Sequence, residues 1–214
     1  MLISDSRILT KLYSNYFSKS IHLSKGEYLY REGEICDSII FIEDGRINLY
    51  KDVNNKNILL WLTVAPEIIG LTSFLNNYST FNLSAIVAKD SIVKSIKPKH
   101  FLEILQKNGD FKYAIMSDLS KRINTMHFHT QIYIKGSSKQ KILNTLTNQN
   151  FNRGLFNKKS YGLTIDEISD INGLMLKNTK SILKNLANKG IISLDKDVIK
   201  IIDFNKLNVE ITYR

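Results

Sequence analysis

The chain has 214 residues, 43% of them hydrophobic and 23% charged, with a net charge of +10. This suits one large or two small globular domains, and no stretch reaches the ~18 consecutive apolar residues of a membrane span. The first residues lack the charged start and apolar core of a secretory signal, and the single cysteine, Cys36, excludes an internal disulfide and any all-cysteine zinc or iron–sulfur site. A cytoplasmic protein with no membrane partner is the expectation.

Residues 1–20 place Ile8, Leu9, Leu12 and Tyr16 at loose helical spacing and predict a short helix. From His22 to Ile96 the texture changes to short alternating segments at about ten-residue intervals. Strands are predicted at 28–30, 38–42, 46–51, 58–63, 82–88 and 92–96, with turns at Glu43-Asp44-Gly45 and over 54–57. That rhythm indicates an antiparallel roll or barrel. Pro98 permits a helix start, with Phe101, Leu102, Ile104 and Leu105 at helical spacing. After Asn108-Gly109-Asp110 a longer helix runs to about Lys135, and Met116, Leu119, Ile123, Met126, Thr130 and Tyr133 form a heptad seam along it. Such a seam suits dimerisation; packing against the roll would need the same apolar residues. Gly136-Ser137-Ser138 reads as a hinge, followed by a helix over 139–149 with Ile142, Leu143 and Leu146 inward, then a polar basic loop or a weak hairpin over 150–162. The implied divisions are a β-roll domain over 1–109, a dimerisation helix over 110–136 and a second domain over 137–214.

Residues 163–190, L-T-I-D-E-I-S-D-I-N-G-L-M-L-K-N-T-K-S-I-L-K-N-L-A-N-K-G, carry the most functional information. Thr164 and Glu167 have capping-box spacing. Ile168 and Ile171 give a first short helix its apolar face, and Gly173 ends it, as a tight inter-helix turn requires. A second helix turns Thr179, Ile182, Leu183 and Leu186 inward and Lys177, Asn178, Lys180, Ser181 and Lys184 outward, and Gly190 closes it. A lysine-lined helix held at a fixed angle by a short turn suits a DNA major groove. The segments around 191–194 and 198–202 alternate and predict a small β-hairpin, a wing. Charge supports the reading: residues 137–189 hold nine bases against three acids. A generally lysine-rich composition would give part of the same bias.

The order of these parts resembles the Crp/Fnr family of bacterial transcription regulators. K-G-E-Y-L-Y-R-E-G-E at 25–34, I-I-F-I-E-D-G-R-I-N-L-Y at 39–50, E-I-I-G-L-T-S-F-L at 67–75 and the two halves of the helix-turn-helix carry the resemblance, which spans about residues 20–204. It implies an α+β chain with an N-terminal antiparallel, jelly-roll-like β-roll, a long dimerisation helix and a C-terminal winged helix-turn-helix. It also implies a homodimer on a near-palindromic double-stranded DNA site. RNA polymerase is a further partner that family activators touch through surface loops.

The departures are informative. Cyclic-nucleotide-binding relatives place a Glu on the ribose and an Arg on the cyclic phosphate. Here Gly70 is kept, but Leu71 stands at the Glu position, followed by Thr72. Ser84 and Ala85 fit the later motif, while Leu83 replaces the Arg. A phosphate desolvated without a counter-charge is costly, so no tight binding of cyclic AMP or cyclic GMP is expected. The pocket holds another, unknown effector or is filled by side chains such as Leu71, Phe74 and Leu83. No metal or cofactor is expected: His127 and His129 are two apart on a helix, and His22 and His100 have no partner at ligand spacing. At the DNA-reading positions implied by the resemblance stand Leu176, Lys177 and Ser181, where many relatives carry Arg, Glu and Arg. Lys177 suits guanine and Leu176 a thymine methyl, with Lys180 and Lys184 on phosphates. Thr164 and Ser169 suit helix capping or backbone phosphates. No catalytic constellation is present. The rival reading is a ligand-sensing or protein-interaction module with a degenerate DNA-binding domain, for which an apolar Met175–Leu176 tip would speak.

Overall fold

A computed structural model describes residues 13–54, 56–76, 79–147, 162–195 and 198–212. Most of the helix expected over 1–20 and nearly all of the loop or hairpin expected over 150–162 lie outside these residues. The chain divides into two compact units after Arg122.

The first unit is an open six-stranded antiparallel sheet. Its strands are β1 (Ile21–Leu23), β2 (Tyr28–Tyr30), β3 (Ile39–Val53), β4 (Lys56–Val64), β5 (Glu67–Ile69) and β6 (Ser84–Ile96). The main path runs β1-β6-β3-β4, with β2 also pairing β6 and β5 also pairing β3. Helix α1 (Leu71–Leu75) interrupts the sheet sequence, and α2 (Pro98–Lys107) and the start of α3 (Gly109–Lys135) follow it. Pro98 occupies the first turn of α2, where its missing N–H leaves no bond unmade.

Two apolar clusters lie on the two faces of β3. Ile39 and Phe41 join Leu71, Ile96, Phe101, Ile104, Phe111 and Ile115 in an outer cluster with α2 and α3. Ile40 and Ile42 join Ile47, Leu49, Ile69, Phe81, Ala85 and Val87 inside the roll. The inward set thus passes from even to odd numbers along a single strand. The β3–β6 register shifts between Ile42 and Ile47, which marks a bulge. One inserted residue flips every later side chain to the other face. The Glu43-Asp44-Gly45 turn and the two strands flanking it were the expectation; the structure instead runs them together as β3. Gly45 makes this possible: its φ is +99°, and a Cβ would lie 2.5 Å from the Asp90 carbonyl oxygen and overlap Ser91. The expected strands at 82–88 and 92–96 are likewise one strand, β6. Of the turn expected over 54–57, Asn54 is at φ +54°, while Lys56 and Asn57 already belong to β4, opposite Val53 and Asp52. Strands β1 and β5 and helix α1 were not anticipated, being too short for periodicity to register.

The second unit contains α4 (Ser138–Thr147), α5 (Ile165–Asn172), α6 (Leu176–Asn188), the hairpin β7 (Ile192–Asp195) and β8 (Val198–Ile201), and α7 (Phe204–Thr212). Ile142, Leu143, Leu146, Ile168, Leu183, Leu186, Ile199 and Leu207 are at most 1% exposed and form its core. Each contributes roughly 1.5–3 kcal/mol by burial. The Ile199 N–H donates to the Leu163 carbonyl at 2.8 Å, which fixes the hairpin beside the segment leading into α5. Helix α7 was not anticipated. It is held to α4 and the end of α6 by Glu210, which accepts from both Lys139 and Lys189.

Candidate functional site

The helix-turn-helix is built from local sequence rules. Thr164 Oγ1 accepts from the Glu167 N–H at 3.2 Å, and the Glu167 carboxylate accepts from the Thr164 N–H at 2.9 Å, completing a capping box on α5. Gly173 closes α5 in the left-handed region at φ +59°. Ser169 is 5% exposed, and its hydroxyl donates to the Leu174 carbonyl at 2.6 Å, so it is engaged within the turn. Thr145 donates to Asn172 Oδ1 at 3.0 Å, tying α4 to α5.

Helix α6 buries Thr179, Leu183 and Leu186 completely. Lys177, Asn178, Lys180, Ser181 and Lys184 are all exposed. The unit's other paired lysines have acids in reach: Lys139 and Lys189 on Glu210, Lys200 on Asp195, Lys206 on Asp203. Among the described residues Lys177, Lys180 and Lys184 make no ion pair. The residue before α6 is Met175, 72% exposed and without a side-chain cap, and the first turn holds no acid. A Ser or Asp there would stabilise the helix by about 1 kcal/mol. Leu176, beside it, is 39% exposed. On α5, burial and repulsion from Asp166 and Glu167 raise the Asp170 pKa above its ordinary value.

The polar groups of the segments around Gly70 and Ser84 are hydrogen-bonded within the roll. Gly70 has φ +87° and precedes α1, and Thr72 is exposed on that helix. Leu71 is 3% exposed in the outer cluster, and Phe74 meets Phe101 edge-on at 6.2 Å. Of the two alternatives left open for the pocket, filling by side chains would therefore not come from Leu71 or Phe74, which lie with the outer cluster. Leu83 does pack on the inner cluster, and Ala85 is fully buried within it. The rings that occupy the interior are Tyr30 and Phe81, stacked with centroids 3.7 Å apart. Burial, and then the neighbouring Cys36, push the Tyr30 hydroxyl pKa above its usual range. The Ser84 hydroxyl accepts from the Glu32 N–H at 2.9 Å. Ser73 donates to Asn82 Oδ1 at 2.9 Å and accepts from the Asn82 N–H at 3.2 Å. An open cleft of about 390 Å³ remains at the lip, lined by Glu32, Gly33, Lys51, Thr80, Phe81, Asn82 and Leu83. Its one cation, Lys51, is paired with Glu32, and that hydrogen bond holds the Glu32 pKa below its usual value.

Sequence reasoning missed a buried ion cluster next to this segment. Arg122 on α3 donates to Glu67 of β5 and, at 2.7 Å, to Asp118 one turn earlier. The three side chains are 17%, 8% and 13% exposed. Burial opposes the guanidinium charge, but the two carboxylates outweigh it and raise the Arg122 pKa. The Asp118–Arg122 spacing of four on a helix was the available signal; the identity of the third partner was not.

Along α3, Phe111, Ala114 and Ile115 face the roll, and Leu119 is half-buried against the same cluster. Met116 (63% exposed), Ile123 (53%) and Met126 (59%) lie open, and Thr130 is exposed with its hydroxyl donating to the Met126 carbonyl at 2.9 Å. The Tyr133 side chain lies outside the description.

Among known families, the cyclic nucleotide-binding domain matches residues 20–108. The Anaerobic regulatory protein of Bacillus subtilis is 23% identical over 203 residues, covering 90% of this chain and 84% of that protein. The structure of FixK2 from Bradyrhizobium japonicum superposes with a TM-score of 0.75 at 16% identity, covering 92% of this chain and 98% of that one. A Crp/Fnr-family regulator structure from Eubacterium rectale gives a TM-score of 0.66 at 14% identity, covering 96% and 94%. Residues 20–108 are thus similar to the cyclic nucleotide-binding domain, and the chain as a whole has the fold of these Crp/Fnr-type structures.

Proposed function

We propose that this chain is a dimeric, sequence-specific DNA-binding transcription regulator of the Crp/Fnr type, not an enzyme, that does not respond to cyclic AMP or cyclic GMP. The observation that carries the DNA reading is the outward face of α6, whose three lysines have no acid partner among the described residues, whereas Lys139, Lys189, Lys200 and Lys206 of the same unit do. Unpaired cations on a helix braced by a capped turn suit phosphates flanking a major groove. The dimer is made along α3 through Met116, Ile123, Met126 and Thr130, and two-fold symmetry asks for a near-palindromic site with half-sites about 10 bp apart. The functional divisions are then a roll over 1–109, a dimer helix over 110–136 and a DNA-binding domain over 137–214. RNA polymerase is the further partner if the chain activates. No described helix is long and apolar enough to cross a membrane; a cytoplasmic location is part of the proposal.

The insensitivity to cyclic nucleotides rests on Leu71 and Leu83 at the anchoring positions and on the Tyr30–Phe81 stack inside the roll. At the cleft, Lys51 is paired with Glu32, so its charge is not free for a phosphate.

The test is fluorescence-anisotropy titration of the purified full chain with duplex DNA over a salt series. Affinity should fall steeply with salt, and replacing Lys180 and Lys184 by Ala should reduce the log–log slope by about 0.9 for each phosphate that is no longer neutralised. Equal, salt-insensitive titration curves for the native chain and the variant would reject the reading. The exposed Met175–Leu176 tip favours a second reading, a protein-interaction module with a degenerate DNA-binding domain, which predicts that salt-insensitive result. Calorimetric titration with cyclic AMP and cyclic GMP should give no heat of binding.

A further inference from the structure

We propose that Met175 and Leu176 are specificity-determining residues that select thymine, through its C5-methyl group, at the end of each half-site that meets the start of α6. The inference rests on the DNA reading above and adds the base it prefers. A recognition helix presents its first residues to base edges. Here those residues are Met175, 72% exposed, and Leu176, 39% exposed. Met175 stands mostly in water and Leu176 partly so, and neither belongs to the fully buried set of the unit. Met175 also occupies the position where a capping side chain would serve the helix better, and no such cap is made.

The chemistry offered at this tip is narrow. No carboxylate stands in the first turn to accept from cytosine, and no guanidinium or side-chain amide stands at 175 or 176 to fork onto a purine. The one feature of a major-groove edge that an apolar side chain recognises is the thymine methyl. Lys177, which suits guanine, is next in the helix, and exposed Lys180 and Lys184 follow. A cationic flank beside an apolar tip matches a duplex, with phosphates beside a methyl, better than an apolar protein surface that would have to bury those charges.

The experiment starts from selection of bound duplexes from a random library with the full chain. Each thymine of the enriched half-site is then replaced in turn by deoxyuridine, which lacks only the methyl. At one or two positions affinity should fall by about fourfold, the worth of one buried methyl group. In Leu176→Ala or Met175→Ala the same exchange should lose its effect at the matching position, with unchanged melting as the check on folding. Uniform indifference of the native chain to deoxyuridine would overturn the inference while leaving the DNA reading intact. So would variants that remain as sensitive as the native chain. A selection that enriches nothing even at low salt would overturn the DNA reading and the inference with it.

Discussion

The cleft side of the roll and the outward face of α6 treat their polar groups in opposite ways. In the roll, Lys51 is paired with Glu32, the Ser84 hydroxyl with a backbone N–H, and Ser73 with Asn82, while Tyr30 and Phe81 fill the interior. On α6, Lys177, Lys180 and Lys184 extend without an acid partner among the described residues, and Met175 forgoes a cap. A buried polar group left unpaired is expensive, whereas an exposed lysine loses little by waiting for a phosphate. The difference separates a region that satisfies itself from one that is completed by a partner. Perturbing the first should therefore show in stability, and perturbing the second in binding.

The largest expected effect is at Arg122. Arg122→Met leaves Glu67 and Asp118 nearly buried without their counter-charge, and should destabilise the roll by about 3–5 kcal/mol. Trp61, the only tryptophan, lies in β4 and reports the roll's unfolding by fluorescence in a denaturant titration. Adding Glu67→Leu to the variant should recover much of the loss, because the desolvated carboxylate is then gone. An Arg122→Met variant as stable as the native chain would mean that water solvates the cluster. Phe81→Ala should follow at about 3–5 kcal/mol, since it opens a cavity against the Tyr30 ring. It should leave the salt dependence of DNA binding unchanged. A change in that slope would break the contrast between the two regions.

The two regions also differed in how much their sequence disclosed. The helix-turn-helix was legible almost residue by residue, because its determinants are local. Thr164 with Glu167, Gly173 at the turn, and the 179–183–186 spacing each act within a turn of the chain. The roll's strands were legible in outline only. The bulge around Gly45 depends on the close approach of Asp90 and Ser91, which are far away in sequence. It flips the inward set of β3, so strict alternation failed and one strand read as two. The Tyr30–Phe81 stack and the Glu67–Arg122 pair also join distant residues that no periodicity marks. Leu71 shows the same limit in reverse: the sequence marks it only as an apolar residue after Gly70, and its burial in the outer cluster, away from the roll interior, came only with the fold.

Smaller effects are expected within the helix-turn-helix. Thr164→Ala removes half of the capping box and should cost about 1 kcal/mol in unfolding of the second unit. Ser169→Ala removes the hydroxyl that braces the turn from Ser169 to Leu174, and should cost about as much. Should Ser169→Ala weaken DNA binding without lowering the melting temperature, the hydroxyl would be serving DNA directly and not only the turn.

The smallest effect expected is at Asp170, and its sign can be worked out. Burial, followed by repulsion from Asp166 and Glu167, raises its pKa in the folded chain. The folded state therefore holds this proton more tightly than the unfolded chain does, so ionisation opposes folding. The contribution is stabilising below the ordinary aspartate value of 3.8 and is lost as pH rises through the raised folded pKa. Asp170→Asn carries no titrating group and keeps the shape, so its stability should exceed that of the native chain above this window. The two should converge as pH falls into it. Thermal melts across the acidic range would show the gap opening with rising pH. A gap of the opposite sign at neutral pH would mean that the Asp170 carboxylate is held by a favourable partner and not by its two acidic neighbours. The same variant sharpens the contrast between the regions, because it removes a negative charge beside α6 without touching any of the three lysines.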